Sequence, residues 1–277
     1  HKKYIKMNKL NNSVLLDVFS TGNEVQLYTY LLERFKHVDA MRHRYGAGIV
    51  IEITGGTAIF CSHLDTIHQN NKVRDIRIYN DELFCVGGEC GGDDRCGVAV
   101  MIQMIELSIP GLYVFTFNEE RGMVGMDNII DLLLPSYDTY NYTAVICIDR
   151  MNDNNIILHN ADVKMIRVHD CYPYFPANGS VTDGFNLADE LQLPAINLSC
   201  GYYAPHTVND YVILPELENL LNTCVNYMDW IADITYIIPY NISKDYYIDD
   251  LGRHDTADDL DKYGVNWDEL RKSTRIF

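Results

Sequence analysis

The chain has 277 residues, 47% of them hydrophobic, which is enough apolar material for the core of one large domain. Its formal charge of −17 argues against a basic nucleic-acid surface, and no apolar run reaches the ~18 residues that a membrane-crossing helix needs. Eight scattered cysteines without a C-x-x-C pair read as reduced thiols. With no hydrophobic signal region in the opening His1-Lys2-Lys3-Tyr4-Ile5-Lys6, the expected setting is cytoplasmic.

In chain order, the first predicted element is a helix over Glu24–Phe35, with apolar Val25, Leu27, Leu31 and Leu32. Strands follow over 49–53, 58–62, 76–79 and 83–86, rich in Ile, Val, Phe and Tyr, with Asn80-Asp81 as a hairpin turn between the last two. Residues 97–107 are apolar almost all round, as in a buried helix, and 112–117 read as a strand. Strands are expected over 144–148, 156–159 and 195–199. Helices are expected over Asp183–Leu191, behind the capping-type residues Ser180-Val181-Thr182, and over Pro215–Ile231, with proline in its first turn. This alternation predicts an α/β fold: a mainly parallel central sheet flanked by helices on both faces. Residues 1–235 read as a single domain. Residues 236–277, rich in Asp and Tyr with little periodicity, read as an extension.

Five short stretches carry chemistry: Ser62-His63-Leu64-Asp65-Thr66, Gly92-Asp93-Asp94-Arg95, Asn118-Glu119-Glu120-Arg121, Cys147-Ile148-Asp149-Arg150 and Ala204-Pro205-His206-Thr207. Four follow predicted strands, and ligands collect at the carboxyl ends of strands in an open α/β sheet. His63 is a candidate ligand, and Asp65 can accept its second ring N–H. Asp93-Asp94 is a pair of adjacent anions, unfavourable unless a cation or solvent relieves it. In Glu119-Glu120, one residue can bind metal while the other takes a proton from water. Asp149 ends an apolar strand, where a metal or Arg150 could compensate its charge. Imidazole with carboxylate suits Zn2+; Mn2+ and Co2+ are alternatives. Cys90 and Cys96 flank the Asp pair, whose carboxylates already account for the segment.

Through Ser62-His63-Leu64-Asp65-Thr66, Gly92-Asp93-Asp94-Arg95-Cys96-Gly97-Val98-Ala99, Phe115-Thr116-Phe117-Asn118-Glu119-Glu120-Arg121-Gly122, Ser180-Val181-Thr182-Asp183 and the late His206, the chain resembles the co-catalytic di-zinc exopeptidase superfamily. That superfamily includes peptidase T, the acylase and glutamate carboxypeptidase group, and the bacterial zinc aminopeptidases. The resemblance spans roughly residues 58 to 230. It implies that Asp93 bridges two Zn2+, that His63 and Asp149 complete one, and that Glu120 and His206 complete the other. Glu119 would be the general base, with Asp65 supporting His63. Two-domain members insert a lid between the last two ligands. Here Asp149 and His206 are 57 positions apart (206 − 149), which leaves no room for one. Something other than a lid residue must then polarise the substrate carbonyl, and Tyr202 or Tyr203 is the candidate. The implied activity is hydrolysis of a terminal peptide bond, foremost as an aminopeptidase. A carboxypeptidase or an N-acyl amino acid deacylase is the alternative, with Arg95, Arg121 or Arg150 as candidate contacts for a substrate carboxylate. A non-catalytic binding protein on the same fold is the rival outside enzymes. The expected partner is a peptide or N-acyl amino acid, not nucleic acid or membrane, and a homo-oligomer stays open.

Overall fold

The computed structural model describes residues 7–168, 171–179 and 181–237. The chain divides into two units, His1–Ile237 and Ile238–Phe277. All but the first two residues of the expected 236–277 extension, and also Ser180, lie outside the described residues.

Two helices come first, α1 (Asn12–Ser20) and α2 (Glu24–Phe35). Each begins where an asparagine side chain accepts an orphan amide: Asn11 from Ser13 N–H, Asn23 from Gln26 N–H. The chain continues through β1 (Met41–Arg44), β2 (Gly48–Ile53), β3 (Ala58–His63), β4 (Ile76–Tyr79) and β5 (Glu82–Cys85). The β4–β5 turn is Asn80-Asp81, with φ of 50° and 64°, conformations that these two residue types tolerate. Then come α3 (Gly92–Glu106), β6 (Gly111–Thr116), α4 (Val124–Leu132), β7 (Ala144–Arg150), β8 (Asn155–His159), β9 (Ala161–Asp162) and β10 (Phe175–Ala177). The unit ends with α5 (Asp183–Leu191), β11 (Ala195–Ser199), β12 (Tyr202–Tyr203), β13 (Tyr211–Ile213), α6 (Leu214–Val225) and β14 (Thr235–Tyr236).

The main sheet has eight strands in the order β1-β2-β6-β3-β7-β11-β8-β10. Its centre, β6-β3-β7-β11, is parallel throughout. β1, β2 and β8 pair antiparallel with their inner neighbours, and β10 pairs parallel with β8. Strand alternation sends side chains to two cores. Phe60, Tyr113, Phe115, Ile146 and Ile148 point to the face covered by α1, α3 and α6. Ile59, Cys61, Leu112, Val114, Val145 and Cys147 point to the face covered by α4 and α5. A smaller antiparallel sheet, β12-β13-β5-β4, stands beside the first core.

Three expectations shift. The helix expected over 97–107 is the regular part of α3, whose start at Gly92 precedes two residues, Asp93 and Asp94, with non-helical backbone angles. The helix expected over 215–231 stops at Val225. There the Trp230 indole N–H donates to Thr223 O at 3.0 Å, and the chain folds back through two 3-10 turns. Helices α1 and α4 and the short strands β1, β9, β10, β12, β13 and β14 are not among the expected elements. Between Asp149 and His206 the chain is taken up by β8, β9, β10, α5, β11 and β12, so no lid is inserted. Cys90 and Cys96 are buried free thiols. No helix among the described residues is long and apolar enough to cross a membrane.

Candidate metal centre

Parallel pairing aligns the carboxyl ends of β3, β6, β7 and β11 along one edge of the sheet, and the residues after them converge there. His63 is the last residue of β3 and is 1% exposed. Its Nε2 lies 2.9 Å from Asp93 Oδ1 and 3.5 Å from Asp149 Oδ1. Its Nδ1 lies 3.1 Å from Asp65 O and 3.3 Å from Asp65 Oδ1. Across the cluster, His206 Nε2 stands 3.2 Å from Asp93 Oδ2 and 2.9 Å from Glu120 Oε1. Asp93 is thus common to two groups, one with His63 and Asp149, the other with Glu120 and His206. Glu119 joins His63 and Glu120 in a third.

Asp94 does different work. Its carboxylate is fully buried and accepts from Ser62 Oγ, from His63 N–H at 3.3 Å and from Gly97 N–H at 2.9 Å. It caps the regular part of α3 and braces β3. The two adjacent aspartates are told apart by their partners: Asp93 lies between two imidazoles, and Asp94 is taken up by the Ser62 hydroxyl and two backbone amides.

Two further carboxylates hold the Glu119-Glu120 turn. Asp65, fully buried, accepts Glu119 N–H at 3.0 Å and Glu120 N–H at 3.2 Å. Glu24, at the start of α2, accepts Asn118 N–H at 3.3 Å. Three consecutive amides of the turn are therefore fixed from behind by anions, a charge-assisted arrangement. Asp183, at the start of α5, is buried and accepts from Thr116 Oγ1.

Electrostatics follow the packing. Burial raises Glu119 from 4.5 to about 8; Asp149, Asp183 and Glu120 add to the rise, and His63 opposes it. Burial likewise raises Asp149 from 3.8 to about 7, with the Asp93 charge assisting. Burial alone would raise Asp93, but the His206 imidazole beside it and the hydrogen bond with His63 hold it well below its ordinary range. Asp65 is lowered: burial opposes, and the His63 hydrogen bond and charge prevail. The adjacent Asp93 carboxylate raises His206 to about 9, against burial and with the Glu120 charge assisting.

The atoms fit a divalent cation. Glu120 Oε1 and His206 Nε2 are both buried, lie 2.9 Å apart, and make no hydrogen bond. Buried polar atoms are rarely left so, and two ligand atoms aimed at one cation would be. Tetrahedral zinc ligands about 2.1 Å from the metal stand about 3.4 Å from one another. The separations here run from 2.9 to 3.5 Å.

The tyrosines expected as carbonyl donors are engaged elsewhere. Tyr202 is buried, and its hydroxyl donates to the Asp149 carbonyl oxygen at 3.1 Å. Tyr203 donates to Glu216 at 2.7 Å and stacks on Tyr211. Arg95 is wholly buried and donates to Leu64 O, while Arg121 is exposed. Arg150 keeps a buried Nε without a partner. Sequence reasoning missed Glu24 and Asp210. Glu24 looks like any acid in a first helical turn, and the only signal for Asp210 was its place four residues after His206.

No protein-family model and no curated protein matches the chain. Solved structures do. A tripeptidase from Staphylococcus aureus superposes with a TM-score of 0.61 at 16% identity, over 81% of this chain and 100% of that one. The aminopeptidase PepT from Bacillus cereus gives 0.60 at 15%, over 81% and 100%. An aminopeptidase from the archaeon Desulfurococcus kamchatkensis gives 0.58 at 14%, over 82% and 98%. The chain shares the fold of these peptidases, with no further domain between Asp149 and His206 among the described residues.

Proposed function

We propose that the chain is a metallopeptidase that binds two divalent cations, foremost Zn2+, and removes residues from the amino end of peptides. The observation that carries this reading is the Asp93 carboxylate set between two imidazoles, with Asp149 and Glu120 completing the two sides. In this reading His63, Asp93 and Asp149 hold one cation, and Asp93, Glu120 and His206 hold the other. Such cations, when bound, supply Lewis acidity that polarises a scissile carbonyl and acidifies water.

The chain's own groups do the rest. Glu119 sits beside both groups as the carboxylate that neither cation set uses, placed to act as a general base. It takes the proton of the attacking water and returns it to the leaving amine. Asp65 and Glu24 hold its turn still through backbone amides, and Asp65 orients the His63 ring. The charges acting on Glu119 are mostly carboxylates, and Arg95 is withdrawn beneath the site, which favours a substrate amine over a substrate carboxylate. One observation supports a second reading: the unpartnered Arg150 Nε would suit a carboxylate, and thus a carboxypeptidase or N-acyl amino acid deacylase.

The test is a substrate panel on the Zn2+- and Co2+-loaded protein: free tripeptides, aminoacyl anilides, amino-terminally blocked peptides and N-acyl amino acids. Amine-terminal release from the first two, lost in Glu119→Gln with cation content intact, is the expected result. Cleavage confined to the blocked or N-acyl compounds shifts the assignment to the second reading. Full activity in Glu119→Gln refutes the mechanism.

A further inference from the structure

Two loops meet at the Asp93 carboxylate, and one buried side chain outside the ligand set joins them. Asp210 is 2% exposed. Its Oδ2 accepts Gly91 N–H at 2.7 Å and Gly92 N–H at 3.0 Å, directly before Asp93. Its own N–H donates to Thr207 O at 3.2 Å, which ties it to the turn that presents His206. That turn is closed by Thr207 Oγ1 donating to Ala204 O at 2.8 Å, and it holds Ala204 and His206 at φ of 50° and 62°. The opposing turn has no slack. Gly91 has φ of 77°, and a Cβ on Gly92 would stand 2.6 Å from Tyr202 Cβ and 3.1 Å from Asp210 Oδ1. The chain of contacts closes on itself: His206, its turn, Asp210, the Gly91 and Gly92 amides, Asp93, and back to His206 Nε2 at 3.2 Å.

We propose that Asp210 is a positioning residue that sets the separation of Asp93 and His206, and through it the affinity of the cation position formed by Asp93, Glu120 and His206. The inference rests on reading the cluster as a metal centre. One carboxylate oxygen taking two amides makes two charge-assisted bonds, stiffer than a neutral contact. The partner position shares Asp93, but its other two ligands are held elsewhere: His63 by Asp65, and Asp149, whose N–H donates to Asn197 Oδ1 at 3.0 Å, by β11. Losing Asp210 therefore acts on one position more than on the other.

The experiment is a Co2+ titration of metal-free wild type, Asp210→Ala and Asp210→Asn, read by visible absorption and by competition with a chelator. Circular dichroism checks the fold. Wild type takes two Co2+. Asp210→Ala keeps one at wild-type affinity and binds the second about 10- to 100-fold more weakly, the usual cost of losing a group that orients a ligand. Asp210→Asn restores the second, because its amide oxygen can accept both N–H groups. A folded Asp210→Ala that binds both ions like wild type, or loses both equally, overturns the proposal. If the alanine variant is unfolded, Asp210→Ser is judged by the same criteria. Should serine also fail to fold, Asp210 belongs to folding alone and the proposal falls. Wild type that binds fewer than two Co2+ refutes the metal-centre reading instead.

Discussion

Without cations, the protein should lose stability as pH rises from 5 to 8, against the usual course of acid denaturation. Three groups set the sign. Asp149 ionises at 3.8 in an unfolded chain but holds its proton to about 7 when folded. Glu119 does the same between 4.5 and about 8. His206 loses its proton near 6.5 unfolded and near about 9 folded. In each case the folded state binds more protons across the window, so stability is full below the unfolded value and is lost as pH climbs through the folded one. Asp93 is lowered and has the opposite sign, but its window lies below 3.8. Asp149 and Glu119 repel each other, and solvent screens the partly exposed His206, so one net proton is the conservative count. At about 1.4 kcal/mol per pH unit, three units give about 4 kcal/mol. A domain of this size melts about 2–4 °C lower per kcal/mol, so Tm should fall by about 8–16 °C. The assay is thermal unfolding of chelator-treated protein by circular dichroism at constant ionic strength. Saturating Zn2+ should remove most of the slope, because the cations take the place of the protons. A metal-free Tm that is flat or rises between pH 5 and 8 refutes the electrostatic reasoning.

Three more outcomes follow from particular contacts. Cation binding near pH 7 should release protons from Asp149, Glu119 and His206, read as a dependence of calorimetric heat on buffer ionisation enthalpy; identical heats in all buffers contradict it. Gly184→Ala would set a Cβ 2.3 Å from Cys147 Sγ and 3.1 Å from Cys61 Cβ. Overpacking there should cost about 1–3 kcal/mol, visible as a lower urea midpoint at unchanged slope. Phe60→Ala removes a fully buried ring that stacks on Tyr113 at 5.3 Å and meets Tyr227 edge-on at 5.2 Å. It should cost about 3–5 kcal/mol in the same assay.

The parts of this fold legible in the sequence are those whose burial is local in pattern. β3, β6, β7 and β11 are mostly apolar, rich in Ile, Val, Phe and Leu, because both faces of each strand are covered. α2 and α5 carry clear apolar stripes, and their predicted bounds coincide with the observed ones. α4 gave no start signal, because it follows Met123 in a left-handed conformation with no capping side chain. β13 is three residues long and exists through pairing with β5, far away in the chain. α1 was missed although its signal was present: Asn11 as cap, with apolar Val14, Leu15, Val18 and Phe19. At the candidate site, His63, Glu119 and Asp149 were visible because polar residues that end buried strands are conspicuous. The choice between Asp93 and Asp94 was not visible, since the two differ only in what they touch after folding.

Glu24 and Asp210 show why the rest was hidden. Loops at a sheet edge leave backbone N–H groups that must find acceptors. In this chain the acceptors are carboxylates: Glu24 for Asn118, Asp65 for Glu119 and Glu120, Asp210 for Gly91 and Gly92. Each fixes a loop that carries a candidate ligand, and each adds negative charge behind the cluster. Burial raises Glu24 against the opposing charges of Arg121 and Arg95, and raises Asp210 to about 6 although Arg74 is near, which shows the cost of that design. His63 and His206 offset only part of it, and Arg95 beneath is itself lowered to about 9, chiefly by burial. Rigid loops and a deficit of positive charge thus arise from the same residues. In the proposed reading, a pair of divalent cations would meet both conditions, since it would draw on the fixed geometry and neutralise the charge that produced it.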